Sequence, residues 1–443
     1  ECNIYIENGK ILIRPWIAPT MTVDNFSKVK QRILMSATLG KSGELERVTG
    51  IKRIKRLPVV NDWDKKGLGR KFFVFPDNFQ EKLDTNEVIA GLQELCKKSV
   101  FLVPDSRSER EIEELYEENM EDTQVFHAKD IEESKQEFLA APDATAILAN
   151  RLDGMDFADD ESRLLFIRNL PVTTNLQEKF LSSRMGASVL YRERIKTRII
   201  QAVGRCSRNP SDYSIVCVMG NAINKELVDR NNNKKFPPEL RAELEFGAMN
   251  SAEYTSVDDL LEQAEDFWNR TDAWKVAEEN IIEMRNDFCK QDDNDEKQVN
   301  EKLQTSAGLE LEFQYALWNR RYADAFDFAS QIVSVLNVPL LSGYQSYWNY
   351  MAGCMAYYLF KEGNTEYKTK GSQFLLEAAK ANISIKWLSG LPKKIFAVQD
   401  EIEEDDFFYD CIERMENVFL SASTLQKFEK QIKAVIDDLQ SAN

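Results

Sequence analysis

The feature that most constrains the fold is a change of hydrophobic pattern near residue 250. Between residues 44 and 248, short apolar runs alternate with segments of helical periodicity, which predicts βαβ units and a parallel sheet. The strand-like runs are residues 71–75, 100–103, 145–148, 164–167 and 214–219. The helix-like segments are residues 85–98, 108–119, 131–140 and 193–203. After Met249 only helical periodicity remains, so we expect an α/β domain followed by an all-helical one.

The helical part contains two candidate helix pairs. In the first, a helix that follows residues 313–320 carries small and apolar side chains on one face. These are Tyr322, Ala325, Ala329 and Ile332. Residues 344–360 and 371–381 form the second candidate pair. The arrangement resembles tetratricopeptide-type repeats, but a plain helical bundle has the same periodicity.

Two other segments have recognisable patterns. Isoleucine recurs at every second position on either side of Asn8 and Gly9, which predicts a β-hairpin, and residues 32–39 are expected to form a short apolar strand. Residues 287–300 are polar and acidic, so we expect an exposed or mobile linker there.

Composition excludes several classes of site. The formal net charge is −17, yet residues 184–208 hold seven basic residues and one acid, whereas residues 251–300 hold fifteen acids and five bases. The basic stretch is therefore the better candidate for contact with phosphates. His127 is the only histidine and the seven cysteines are scattered, which argues against histidine triads, metal clusters and a disulfide framework. The apolar runs are shorter than a membrane span and no leader opens the sequence, so we expect a cytoplasmic protein without membrane association.

The most specific chemical signal is the set Gln201, Gly204, Arg205 and Arg208. On a continuous helix, Gln201, Arg205 and Arg208 would share one face, and Gly204 would let another backbone approach. Two adjacent guanidinium groups can bind phosphate oxygens and offset the charge that develops in phosphoryl transfer. A basic surface helix would not need the glutamine and glycine. The spacing is similar to the sixth motif of superfamily 2 helicases.

A second segment contains Asp153, Gly154, Met155 and Asp156. A glycine at a strand end permits close approach to a sugar-phosphate backbone, and Asp156 can reach toward a nucleotide or toward the arginines. Alone, Asp-Gly is merely a turn. The segment resembles the fifth motif of XPD/DinG helicases, with Asp153 and Met155 replacing the usual glutamate and isoleucine, and an apolar strand leading to Pro171 follows as in that family.

Two shorter segments complete the ordered set. Ser36 and Thr38 lie in Met-Ser-Ala-Thr-Leu, which is similar to the third motif, the one that couples nucleotide state to nucleic-acid binding in this class. Ser106 and Arg107 follow an apolar strand and resemble the fourth motif, whose hydroxyl groups and amides can hold a backbone phosphate.

Together the motifs resemble XPD/DinG-type superfamily 2 helicases over about residues 1–225. The resemblance implies that residues 1–43 end a first motor domain and that residues 44–249 form a second, RecA-like domain. Residues 250–443 would be an all-helical extension. Three features depart from the family: there is no G-x-x-x-x-G-K-[ST] loop or acidic metal-binding box, no four-cysteine cluster, and no Asp-x-Arg after residue 216.

The resemblance also implies roles for individual residues. Those assigned to catalysis are Gln201, Arg205 and Arg208. Those assigned to the nucleotide are Gly154, Asp156 and Gly204. Those assigned to nucleic acid are Ser36, Thr38, Ser106, Arg107, Asp153 and Met155. No metal ligands are predicted, and ATP and Mg²⁺ would be held mainly by the first domain, which we expect in preceding sequence.

Two functions follow as hypotheses. The leading one is the second half of an ATP-dependent helicase or translocase that acts on single-stranded or duplex DNA, with 5′ to 3′ polarity implied by the family and a role in DNA repair or prokaryotic antiviral defence. The fragment alone is not expected to hydrolyse ATP. The alternative is a degenerate, non-hydrolysing interaction module whose helical region binds a protein partner.

Overall fold

The fold consists of a two-stranded hairpin, a six-stranded sheet and surrounding helices. The structure is a computed structural model. It describes residues 2–7, 9–35, 40–57, 69–149, 155–157, 159–169, 175–207, 211–290, 294–381 and 388. The hairpin strands are β1 (Asn3–Glu7) and β2 (Lys10–Arg14). The sheet strands are β3 (Arg70–Val74), β4 (Lys98–Val103), β5 (Gln124–His127), β6 (Ala144–Ala149), β7 (Leu164–Arg168) and β8 (Tyr213–Met219).

The six-stranded sheet has the order β3-β8-β7-β4-β6-β5, and every neighbouring pair is parallel. All five predicted strands are confirmed. Their side chains are buried on both faces, as expected for a parallel sheet covered by helices. Strand β5 was not predicted because its sequence, Gln-Val-Phe-His, has only two apolar residues.

Helices follow the strands and then continue alone toward the C-terminus. In the first part they are α1 (Asp24–Ser27), α2 (Glu44–Thr49), α3 (Thr85–Cys96), α4 (Ser106–Asn119), α5 (Ala128–Glu133), α6 (Lys135–Ala140), α7 (Leu176–Lys179), α8 (Arg192–Val203), α9 (Asn221–Val228), α10 (Arg230–Asn233) and α11 (Pro238–Ser251). After them come α12 (Val257–Asn269), α13 (Asp272–Lys290), α14 (Asn294–Trp318), α15 (Tyr322–Val335), α16 (Ser342–Lys361) and α17 (Tyr367–Ala381). The single helix predicted over 131–140 is divided at Ser134, whose backbone is extended.

Each face of the sheet has its own apolar core. On β3, Phe72 and Val74 point into a core that is closed by α3, α4, α12 and α13. Phe73 on the same strand points the other way, into a larger core formed with α8, α11 and α14 to α16. Alternating side chains of one strand therefore join the sheet to both helical layers.

The N-terminal segment agrees with only one of its two predictions. Strands β1 and β2 are antiparallel, with Ile4 opposite Ile13, which confirms the hairpin. The strand predicted over 32–39 is wrong for residues 32–35, which are not in a strand, and residues 36–39 lie outside the described part. Ile33 and Met35 are 74% and 88% exposed, and a strand needs a neighbour to satisfy its backbone groups.

The linker predicted over 287–300 is also wrong where the structure describes it. Residues 287–290 end α13, and residues 294–300 begin α14. The prediction relied on the acidic composition and overlooked a buried helix face. Val299 and Leu303, which are four residues apart, lie on that face and are buried in the core.

The two predicted helix pairs are present as α14 with α15 and α16 with α17. Ala325, Ala329 and Ile332 are fully buried, as their spacing predicted. The tetratricopeptide resemblance stays a prediction, and so do the proposed domain boundaries. Within the described residues, the helices are too short or too polar to cross a membrane.

Candidate functional site

The sheet has a topological switch point between β4 and β7. The chain leaves β4 through α4 toward β5, whereas it leaves β7 through α7 and α8 toward β8. In open parallel sheets of this kind, ligands bind outside the carboxyl ends of the strands at such a point. A ligand site is therefore expected at the edge of the sheet where β4 and β7 end.

Ser106 and Arg107 lie at this edge, on the first turn of α4. Both are exposed. The side chain of Asp105 caps the helix by accepting the N–H of Ser108 at 2.9 Å, and this hydrogen bond lowers the pKa of Asp105. The structure thus places the fourth-motif residues on a fixed helix start that is open to a large ligand.

A carboxylate on α4 bridges the two sides of the switch point. One oxygen of Glu111 accepts Nε of Arg107 at 3.2 Å. The other lies 3.1 Å from Nη2 of Arg168, which ends β7. Because the side chain of Arg107 is 88% exposed, its pairing with Glu111 is weak and can be exchanged for a phosphate.

Gln201 and Arg205 of the sixth motif do not lie on one continuous helix, which corrects the prediction for these two residues. Helix α8 ends at Val203, and Arg205 lies in the turn beyond it. The N–H of Gly204 still reaches the carbonyl of Ile200 at 3.0 Å, but the N–H of Arg205 turns to Ala202 at 3.3 Å. The i, i+4 spacing assumed a helix that continued, whereas the chain tightens after Gly204.

The expected role of Gly204 as a place of close approach is not seen either. A Cβ atom there would lie 3.0 Å from the carbonyl oxygen of Ile200, in its own helix. Other elements among the described residues stay more than 4 Å away. Gly204 instead marks the end of α8.

Arg205 joins the fifth and sixth motifs. Its side chain is only 1% exposed, and Nη1 donates to the carbonyl oxygen of Met155. In the opposite direction, the N–H of Phe157 donates to the carbonyl oxygen of Arg205 at 2.9 Å. Asp156, between these two anchors, is exposed. The structure therefore brings Met155, Asp156 and Arg205 together.

Lys135 supports the same segment and was missed by sequence reasoning. Its Nζ donates to the carbonyl oxygen of Asp156 and to Glu161, and it lies 4.6 Å from the centroid of the Phe157 ring. Lys135 belongs to α6, outside every motif, so its position depends on the fold alone.

Part of the basic stretch serves internal ion pairs rather than an open phosphate site. Arg194 and Arg198 on α8 both contact Glu178 of α7, whose side chain is 2% exposed. Arg194 also contacts Glu44 of α2, with Nε 2.6 Å from Oε1. Glu178, 16 residues before Arg194 in the sequence, thus neutralises positive charge that the sequence analysis assigned to contact with phosphates.

Several predicted residues lie outside the described part of the chain: Ser36, Thr38, Asp153, Gly154 and Arg208. Gln201 is half-buried near the end of α8. Among the described residues, no group of histidine, cysteine, aspartate or glutamate side chains is arranged to hold a metal ion.

The fold and this site define a class: a RecA-like α/β domain with a parallel six-stranded sheet, followed by a helical region. Residues 89–242 match the family model described as helicase C-terminal domain. The match runs from α3 to α11 and includes five of the six strands. The chain thus contains a helicase C-terminal domain within residues 89–242. No curated protein matches the chain.

Proposed function

We propose that the chain is the second half of an ATP-dependent superfamily 2 DNA helicase or translocase of the XPD/DinG type. The observation that carries the proposal is the two-way link between Arg205 and the segment of Met155 and Phe157. It joins Arg205, which is assigned to catalysis, to Met155, which is assigned to nucleic acid. Movement of one would displace the other, as a translocase requires. The helicase-family match supports the same function.

The chain's residues divide into two groups in this proposal. Ser106 and Arg107, at the exposed start of α4, hold a phosphate of the nucleic-acid backbone. The residues Ser36, Thr38, Asp153 and Met155 complete that contact. Arg205 and Arg208, with Gln201, supply positive charge beside the nucleotide, and Gly154, Asp156 and Gly204 shape its surroundings. ATP with Mg²⁺, when bound, supplies the phosphoryl group whose transfer drives movement, and its ligands come mainly from a domain outside this chain.

The N-terminal segment offers a surface on which such a domain would dock. Eight large apolar side chains within residues 4–35 are exposed. They are Ile4, Ile6, Ile11, Ile13, Val23, Val29, Ile33 and Met35. Ile4 faces Ile13, and Ile6 faces Ile11, across one side of the hairpin. Four exposed isoleucines side by side on the hairpin suit a protein contact, which supports a first motor domain packed against them.

The proposal includes a role in DNA repair or antiviral defence and a protein partner for the helical region. The competing function is a non-hydrolysing interaction module. Binding of single-stranded DNA by this chain distinguishes the helicase function from the interaction module, because an interaction module needs no nucleic-acid contact at α4.

Binding of a labelled single-stranded oligonucleotide, measured by fluorescence anisotropy at several salt concentrations, tests the proposal. Arg107→Ala should weaken binding severalfold and reduce the salt slope by about 1, the value expected for one lost phosphate contact. Arg321→Ala is the matched control, since Arg321 is also exposed and pairs at 2.7 Å with an acid, Asp324, in the first turn of the helix that it precedes. Equal losses in both variants, or no binding by the parent chain, would contradict the proposal.

A further inference from the structure

Helix α2 is a short helix that lies between α8 and the C-terminal helices. Its first residue, Glu44, accepts Nε of Arg194 on α8 at 2.6 Å. The two side chains are only 18% and 25% exposed. Arg194 is held on its other side by the buried carboxylate of Glu178. One end of α2 is therefore fastened to the helix that leads into the sixth motif.

The same helix is fastened to α14 through Arg47. Nε and Nη2 of Arg47 donate to the two carboxylate oxygens of Glu310 at 2.7 and 2.8 Å. Nη2 also donates to the carbonyl oxygen of Leu303 at 2.8 Å and to Ser306 Oγ at 3.0 Å. Burial alone would raise the pKa of the Glu310 carboxyl, but the charge and hydrogen bonds of Arg47, with a hydrogen bond from Ser306, outweigh burial and the net pKa is lowered. Both partners are thus charged and fully engaged.

The start of α2 packs closely against α14. Gly43, which precedes the helix, has a φ of +79°, and a Cβ there would lie 2.5 Å from Cβ of Ala307. The indole Nε1 of Trp16 also donates to Glu310, at 3.1 Å. The N-terminal segment therefore meets α14 through one continuous buried contact.

We infer that α2 is a rigid coupling element that transmits movement between α8 and the C-terminal helices, with Glu44, Arg47, Arg194 and Glu310 as its positioning residues. Glu44 and Arg47 are three residues apart on one short helix, so they move together. The Arg47–Glu310 pair cannot open without leaving a buried charge uncompensated, and the Glu44–Arg194 pair is largely shielded from solvent. A shift of α8 must then displace α14. The consequence for the nucleotide site rests on the proposed function, but the coupling itself does not.

Hydrogen exchange of the intact chain tests the coupling without any activity assay. In Glu310→Gln, amides of α8 should exchange about tenfold faster or more, because removing one partner of a buried ion pair is strongly destabilising. A purely local role would affect only α14 and α2. The matched control is Glu312→Gln on the same helix, which loses only a half-exposed pair with Lys52 and should leave α8 unchanged.

The reciprocal variant keeps the test decisive if Glu310→Gln does not fold. Coupling between two sites is mutual, so Arg194→Lys should speed exchange in α14 around Ser306. Arg47→Lys, which keeps the charge but lacks the planar fork that donates Nε and Nη2 to Glu310, should produce a smaller effect in α8. Unchanged α8 exchange in Arg47→Lys together with unchanged α14 exchange in Arg194→Lys would overturn the inference, whatever the outcome of DNA binding.

Discussion

Arg205 lies where two motif segments meet, and its environment differs from that of a finger exposed in a cleft. Its guanidinium is buried and donates to the carbonyl oxygen of Met155. Arg205 thereby fixes the segment that carries Asp156. The spacing in the sequence identified the residue, but the contact with Met155, 50 residues earlier, could not be predicted from it.

At the same scale, His127 provides a pH probe, because the chain has only one histidine. Its Nδ1 lies 2.9 Å from Glu109 and its Nε2 lies 3.3 Å from Glu113, both on α4. Burial lowers the pKa of His127, but the two carboxylates outweigh burial and the net pKa is raised. The pairing therefore contributes stability below about pH 6.5, the usual pKa, and that contribution is lost as pH rises through the raised value.

Two measurements check this expectation. The imidazole proton resonance of the single histidine should titrate above pH 6.5. The melting temperature of the parent chain should fall more between pH 6 and pH 9 than that of His127→Gln. A titration at or below the usual value, or parallel melting curves, would contradict the role assigned to the two glutamates.

At the scale of elements, the hydrophobic pattern correctly predicted the strands whose side chains are buried on both faces of the sheet. The five predicted strands are apolar runs, and a parallel sheet buries both of their faces. Pattern failed for β5, which is short, and for the start of α14, where acids outnumber the few buried residues. It could not find Arg47 with Glu310, which are 263 residues apart. Such ion pairs depend on how distant elements pack together, which cannot be predicted from local periodicity in the sequence.

Two glycines inside helices give a matched test of element packing. A Cβ at Gly247 of α11 would lie 2.4 Å from the backbone oxygen of Phe73 on β3. A Cβ at Gly308 of α14 would meet nothing within 4 Å. Gly247→Ala should therefore destabilise the chain by about 1–3 kcal/mol, whereas Gly308→Ala should stabilise it by up to about 1 kcal/mol. Urea unfolding measures both, and a neutral Gly247→Ala would show that α11 does not pack so closely on β3.

At the scale of the whole molecule, one apolar core runs from the sheet into the C-terminal helices. Val100 and Val218 of the sheet belong to the same buried cluster as Leu303 of α14 and Trp348 of α16. The N-terminal segment is tied into the same region by Trp16 and Arg47. The predicted boundary near residue 250 thus separates two sequence patterns that share buried surface.

Shared burial predicts cooperative unfolding. Tryptophan fluorescence and far-ultraviolet circular dichroism should report coincident transitions in urea, since a two-state transition looks the same to every probe. Glu312→Gln, which removes only a half-exposed ion pair, should leave this coincidence intact. Two separate transitions would show that the helical region unfolds independently of the sheet.

The central claim, that this chain completes an ATP-driven motor, is tested most directly by ATP hydrolysis with and without single-stranded DNA. The assay uses the chain joined to a first motor domain that carries a phosphate-binding loop. We predict hydrolysis stimulated by DNA, and a loss of about 10³ to 10⁵ in turnover in Arg205→Ala or Arg208→Ala, the range known for such arginines, with DNA binding largely retained. Turnover equal to that of the parent in both variants would contradict the claim and favour the interaction module.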